Sequence, residues 1–180
     1  IMNSKLNVIF MGSGLYGSSV LNSLDLSKIN ILNVFTKYSK VKSRDHIEED
    51  FSNIEMGNLI RVSRFSEDIV SLVRKANPDL IIVASFGLLL PESMLNIPKF
   101  GVINVHPSLL PKYRGPSPIV SSIIDGIPLT GVTIMKMVKE LDAGPIIEQE
   151  KIPIDSNINS NDLGVKLFGI GAKILNRLFD

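Results

Sequence analysis

Apolar residues arrive along this chain in short runs set between polar, glycine-bearing or proline-bearing stretches, and strand-like and helix-like spacings alternate. Leu6 to Met11 is a first apolar strand; Gly12-Ser13-Gly14-Leu15-Tyr16-Gly17 turns the chain, and Val20, Leu21 and Leu24 then recur at helical spacing. Ile31 to Thr36 and Leu59 to Ser63 read as further strands, and Phe65 to Ala76 as an amphipathic helix opened by Ser66 and Glu67. Asn77-Pro78-Asp79 ends that helix. Leu80 to Ser85 follows as an unbroken apolar run, the pattern of a parallel strand buried on both faces, and is predicted to be the middle of the sheet.

Gly101 to Val105 is the next strand, and Ile119 to Asp125 a helix stopped by Gly126-Ile127-Pro128. Thr130 to Val138 and Ile146 to Ile154, joined by a turn over Lys139 to Gly144, predict a hairpin. After a polar linker, Leu163, Leu167, Ile170, Ile174 and Leu178 place an apolar stripe on a closing helix. The order predicts an α/β chain: a Rossmann-like open sheet, mostly parallel, with helices on both faces and a C-terminal β-hairpin plus closing helix.

At 180 residues the chain fits a single domain around one core. Its 19 basic and 18 acidic residues nearly cancel, so the overall charge gives no case for a nucleic-acid or membrane surface. There is no Cys and there are only two His, which removes thiolate chemistry, disulfides and a histidine-rich metal site. No apolar stretch reaches the roughly 20 residues of a membrane helix, so a cytoplasmic location is expected. Ile1 ahead of Met2 reads as a cloning scar, and residues 1–180 read as a fragment of a longer protein.

Chemistry gathers where the strand Gly101 to Val105 ends. Asn104 and His106 are two apart and therefore share a face. Pro107 stops the ladder, and the loop to Pro118 is too rich in proline and glycine for helix or sheet while carrying Ser108, Lys112, Tyr113 and Arg114. If the hairpin lies beside that strand, the Asp142 carboxylate reaches His106. Such a cluster suits direct attack by an amine or water on an activated carbonyl: an Asn104 N–H stabilises the oxyanion, His106 donates to it or relays a proton, and Asp142 orients the His or collects the proton through water. One oxyanion donor is worth about 3 kcal/mol in such sites. A Ser-His-Asp hydrolase fits less well, because Ser108 is not on a strand-to-helix elbow and no G-x-S-x-G is present.

Two further stretches bear on ligands. Gly12 to Gly17 matches the G-x-G-x-x-G pattern of dinucleotide sites, yet Thr36-Lys37 stands where that site needs an acid for the ribose. A turn presenting N–H groups to a phosphate or carboxylate is the alternative use. The apolar loop Phe86-Gly87-Leu88-Leu89-Leu90-Pro91 either packs under a neighbour or lines a pocket for a flat organic group. Lys37 to Asn58, with His46 among its charges, reads as a solvated loop, or as a basic strip steering a polyanion.

Asn104-Val-His106-Pro-Ser-Leu-Leu-Pro-Lys-Tyr-Arg-Gly115, followed by Leu141-Asp142-Ala-Gly144, resembles the signature of the formyltetrahydrofolate-dependent formyltransferases. Within that family, Ser108 to Ile119, Gly131 to Met137 and Phe86 to Pro91 are most similar to the branch acting on initiator methionyl-tRNA. The resemblance implies transfer of a formyl group from 10-formyltetrahydrofolate, without a metal, to the α-amine of methionine on that tRNA, by a chain expected to be a monomer. It puts Asn104, His106 and Asp142 on the catalytic trio. It puts Phe86, Gly87, Leu88, Leu90, Lys139, Glu140 and Leu141 on the folate pocket, and Gly12, Ser13, Gly14, Ser108 and Arg114 on the amine-substrate side. It also implies that a C-terminal β-barrel domain helping to hold tRNA is missing here. The family's first turn usually reads Gly-Thr-Pro, from which Ser13-Gly14 departs. Formyltransferases acting on a sugar nucleotide or on glycinamide ribonucleotide, a formyltetrahydrofolate hydrolase, and an NAD(P)-binding module are the rival readings.

Overall fold

The computed structural model describes residues 5–38, 51 and 58–180. In chain order the elements are β1 (Leu6–Gly12), α1 (Gly14–Asn22), β2 (Ile29–Lys37), β3 (Asn58–Val62), α2 (Glu67–Ala76) and β4 (Leu80–Ala84). There follow α3 (Glu92–Leu95), β5 (Val102–His106), α4 (Pro118–Ile124), β6 (Leu129–Lys136), β7 (Ile146–Pro153) and α5 (Ser160–Leu178). The described strands form one seven-stranded sheet in the order β3-β2-β1-β4-β5-β6-β7. Neighbours from β3 through β5 pair in parallel, while β6 lies antiparallel to both β5 and β7. The mostly parallel Rossmann-like sheet and its hairpin are therefore as expected, and β4 is the middle strand.

The apolar run of β4 follows from its two neighbourhoods. Leu80, Ile82 and Ala84 join Val8 and Phe10 of β1 and the buried side chains of α1 and α5, whereas Ile81 and Val83 join Ile9 and Met11, Val70 and Val73 of α2 and Met94 of α3. Burial of a large apolar side chain contributes about 1.5–3 kcal/mol, so neither face of this strand can be polar. β1 stands between β2 and β4, with Val8 opposite both Ile31 and Leu80.

Helix ends obey local rules. In α2 the Ser66 hydroxyl accepts from the Ile69 N–H, Glu67 and Asp68 occupy the first turn, Arg74 and Lys75 the last, and Asn77 closes the helix in the left-handed region. The closing helix departs from the expected stripe. Leu163, Leu167 and Ile174 are buried, but Leu178 is exposed, and Gly164, Phe168, Gly171, Ala172 and Leu175 complete the covered face. A single i, i+4 line drifts around a long helix, and α5 is covered by both α1 and β6, so the buried face is wider than one line. Residues 39–50, with His46 and most of the charged stretch, lie outside the described residues.

The glycine turn has a packing origin. Gly14 opens α1 with φ +64°, a conformation that costs a side-chain-bearing residue. A Cβ on Gly12 would come within 2.8 Å of the Ala84 carbonyl oxygen, and one on Gly17 within 2.8 Å of the Gly12 carbonyl carbon. Backbone packs directly on backbone where α1 crosses β1 and β4. Thr36, where a dinucleotide site carries an acid, is fully buried and its hydroxyl donates to Ser13 Oγ at 3.2 Å.

Candidate active site

In an open α/β sheet the ligand crevice lies beyond the carboxyl ends of the strands, where successive connections diverge. Here that place is between β1 and β4, because β1 leads out to β2 on one side and β4 lies on the other. A cavity of about 430 Å³ opens beside it, at the carboxyl ends of β4 and β5. Asn104, His106 and Asp142 line it together, as do Phe86, Gly87, Leu88 and Leu141.

β5 explains the first two. Its alternation puts Val105 into the core and turns Asn104 and His106 to the other side, and Pro107 ends the ladder one residue later. Asp142 comes from residues 137–145, the connection between β6 and β7, which leaves β6 two residues earlier than expected.

His106 is only 4% exposed. Its Nε2 lies 2.9 Å from the Tyr113 carbonyl oxygen, and since a carbonyl can only accept, Nε2 carries the hydrogen. Nδ1 is left facing Asp142 Oδ2 at 3.8 Å, a charge contact longer than a hydrogen bond. The same oxygen accepts from the Gly115 N–H at 2.8 Å, tying the Asp142 loop to the loop after β5. Tyr113 in turn donates its phenol to Asp125 Oδ2 at 2.9 Å. Desolvation, and then the hydrogen bond and charge of Asp125, hold that phenol above its usual pKa and keep it a donor.

The backbone around the cavity is held in unusual conformations. Ser85 (φ 51°), Gly87 (φ 74°), Tyr113 (φ 57°) and Asp142 (φ 49°) are left-handed, and three of these are not glycine. Such strain persists only where surrounding contacts over-determine it. Ser85 shows one of them: its carbonyl accepts from the Ser13 N–H at 3.0 Å.

The other expected site residues are placed elsewhere. Leu90 packs into the cluster under α2 and α3 rather than lining the cavity. Lys139 pairs with Glu92 at 3.2 Å beside a second cavity of about 430 Å³, lined by Lys99 and Lys136 among others but not by Asn104 or His106, with Met137 bordering both cavities. Glu140 and Arg114 are exposed, and neither lines the cavity. Ser108 is fully buried and donates to the Lys112 carbonyl at 2.7 Å, so its hydroxyl is spent inside the loop. Gly12, Ser13 and Gly14 do not line the cavity. Ser13 Oγ accepts from the Lys37 N–H at 2.8 Å and donates to the Phe86 carbonyl at 3.1 Å, which joins the ends of β1 and β2 to the cavity wall.

Sequence reasoning missed Met137, Pro116, Pro118 and Phe168, which also line the cavity. Phe168 stacks on Tyr16, ring centroids 5.0 Å apart, in space that Gly164 leaves open. A second apolar line on α5, through Gly164, Phe168 and Leu175, was the available signal.

Similarity to known proteins gives the family. The model of the family described as formyl transferase matches residues 4–178. A methionyl-tRNA formyltransferase of Wolbachia sp. subsp. Drosophila simulans is 40% identical over 178 residues, 94% of this chain and 59% of that protein. One from Anaplasma marginale is 40% identical over 183 residues, 97% of this chain and 60% of that protein. The chain thus spans about 60% of the length of these relatives. Among solved structures, a phosphoribosylglycinamide formyltransferase from Anaplasma phagocytophilum superposes with TM-score 0.79 at 23% identity, covering 97% of this chain and 85% of that one. A formyltetrahydrofolate deformylase from Pseudomonas syringae pv. tomato gives TM-score 0.76 at 22% identity, covering 98% of this chain and 62% of that one. These two share the fold.

Proposed function

The chain belongs to the formyl transferase family, and from that membership we propose that it is the catalytic part of an enzyme moving a formyl group from 10-formyltetrahydrofolate to the α-amine of initiator methionyl-tRNA. The observation that carries the reading is the convergence of Asn104, His106 and Asp142 on one cavity walled by Phe86, Leu88 and Leu141. The relatives at 40% identity support this acceptor over the others.

The cavity fits the donor in size and character. Its volume is that of sites for flat organic molecules, and its walls are largely apolar. The folate supplies a carbonyl whose leaving group is an aryl amine nitrogen.

Each residue then has one task. Asn104 donates an amide N–H to the formyl oxygen as the acceptor nitrogen adds to the carbon and the C=O electron pair moves onto oxygen. His106, with Nε2 engaged by Tyr113, exchanges a proton through Nδ1 with the forming oxyanion and amine. Asp142 stabilises the resulting imidazolium, and the one proton that the imidazolium took from the amine passes through water to the departing folate nitrogen. When the oxyanion pair returns to carbon, the C–N bond to the folate breaks. The products are a formamide and tetrahydrofolate.

Among the described residues no helix is long and apolar enough to cross a membrane. On this reading the chain acts in the cytoplasm, and a monomer suffices because one chain supplies all three groups. The test is formyl transfer to initiator methionyl-tRNA, run beside glycinamide ribonucleotide and water as acceptors, with this chain and with one of the relatives' full length. Transfer to the tRNA that rises with the longer chain supports the reading. Release of formate whatever the acceptor assigns a hydrolase, and transfer to the ribonucleotide alone assigns that acceptor.

A further inference from the structure

The strongest unexplained feature is a buried hydrogen-bond cluster between the hairpin and the loop after β5. Thr133 on β6 and Gln149 on β7 are paired across the hairpin. The Thr133 hydroxyl donates to the Ser108 carbonyl at 2.6 Å, and accepts from the Leu110 N–H at 3.2 Å and from Gln149 Nε2 at 2.8 Å. Gln149 Nε2 also donates to the Leu110 carbonyl at 2.9 Å.

Counting donors and acceptors fixes this arrangement. A hydroxyl has one hydrogen and two lone pairs, and all three are used. Its single hydrogen goes to Ser108, so Gln149 has to present its NH₂; turned over, its oxygen would face the Leu110 carbonyl and a hydroxyl already committed. Both NH₂ hydrogens then have acceptors. Thr133 and Ser108 are fully buried, so no water substitutes for a missing partner. From Ser108 the chain of contacts continues to the Lys112 carbonyl at 2.7 Å, next to the Tyr113 carbonyl that holds His106.

We propose that Thr133 and Gln149 are positioning residues that fix the tautomer and ring orientation of His106, by clamping residues 108–113 so that the Tyr113 carbonyl meets Nε2–H. Neither touches the reacting atoms, and neither lines the cavity. The edge of the sheet thereby sets which imidazole nitrogen faces the chemistry. The consequence for turnover rests on the formyl-transfer reading, whereas the orientation of the ring does not.

The chain has only two histidines, so ring ¹⁵N resonances assign readily, with His106→Ala as the reference. In the intact protein, Thr133→Val and Gln149→Glu are expected to remove the Nε2–H signature of His106, and Thr133→Ser to keep it. In the transfer assay the first two should lower kcat by about tenfold or more, as displacement of an active-site group by about an ångström does, with donor KM little changed. If Thr133→Val does not fold, Gln149→Glu decides the matter at nearly constant volume. An unaltered His106 signature in a folded Gln149→Glu protein overturns the proposal, and so does kcat falling only as far as the folded fraction. Loss of the signature in the variants, beside a wild-type chain that keeps it but transfers no formyl group, supports the positioning role and rejects the proposed reaction instead.

Discussion

Two strand ends in this molecule look alike in composition and differ in use. β1 closes on Gly12 and runs on into Ser-Gly, and after β5 the chain enters a proline- and glycine-rich loop; both sit at the carboxyl edge of the sheet and both carry hydroxyl groups. The first end spends its polarity inward: Ser13 joins two strand ends to Phe86, and Gly12 and Gly17 let backbone touch backbone. The second turns the last side chains of its strand toward a cavity and uses the loop behind them as a frame. What separates them is support. The β5 loop is braced from behind by the hairpin, so groups at its front can be left to a ligand.

The sharpest way to test the contrast is to remove chemistry from one end and packing from the other. Asn104→Ala and His106→Ala are each expected to lower kcat for formyl transfer by roughly 10²–10³-fold, the cost of losing one such donor. Thermal melting should stay near wild type for Asn104→Ala, while His106→Ala, which takes the donor from the Tyr113 carbonyl, should cost only about 1 kcal/mol. Equal loss of stability and activity would make them structural. At the first end the pattern should invert. Gly17→Ala is expected to destabilise by about 1–3 kcal/mol in urea unfolding through the clash with Gly12, with kcat per folded molecule unchanged. Normal stability would remove the packing account of that glycine.

Gly14→Ala sharpens the comparison within one turn. Nothing lies within 4 Å of a Cβ there, so only the left-handed backbone at φ +64° is charged against it, about 1 kcal/mol. A cost matching Gly17→Ala would point to contacts beyond those described. The smallest effect concerns the frame of the second end. The Tyr113 phenol is held above its ordinary value of 10.0, so the folded protein keeps that proton longer than the unfolded chain does. This stabilisation is complete below pH 10 and fades as pH rises through the folded-state value. Tyr113→Phe should therefore flatten the alkaline limb of a stability–pH curve, and an unchanged limb would show that the latch to Asp125 carries no such linkage.

How much could be read from residues alone follows from where the information lies. The centre of the sheet was legible because β4 faces two cores and its sequence has to be apolar at every step. Asn104 and His106 on one face followed from the strand period and from Pro107. Phe168 was hidden because a helix wedged against two elements buries more than one line. That Ser108 and Leu90 do not line the cavity was not legible, because a loop sequence does not say which side of the loop is covered. Lys139 is two residues from the cavity-lining Leu141, yet the turn between them delivers it to Glu92 instead.

The position of β1 between β2 and β4 has a consequence for synthesis. β2 follows β1 closely, but Leu80, which pairs with Val8, leaves the ribosome 72 residues later. At about 5–20 residues per second, β1 waits roughly 4–14 s with one edge open and its β4-facing apolar residues uncovered. During that interval the nascent chain is a natural client for a chaperone, and the completed sheet is not.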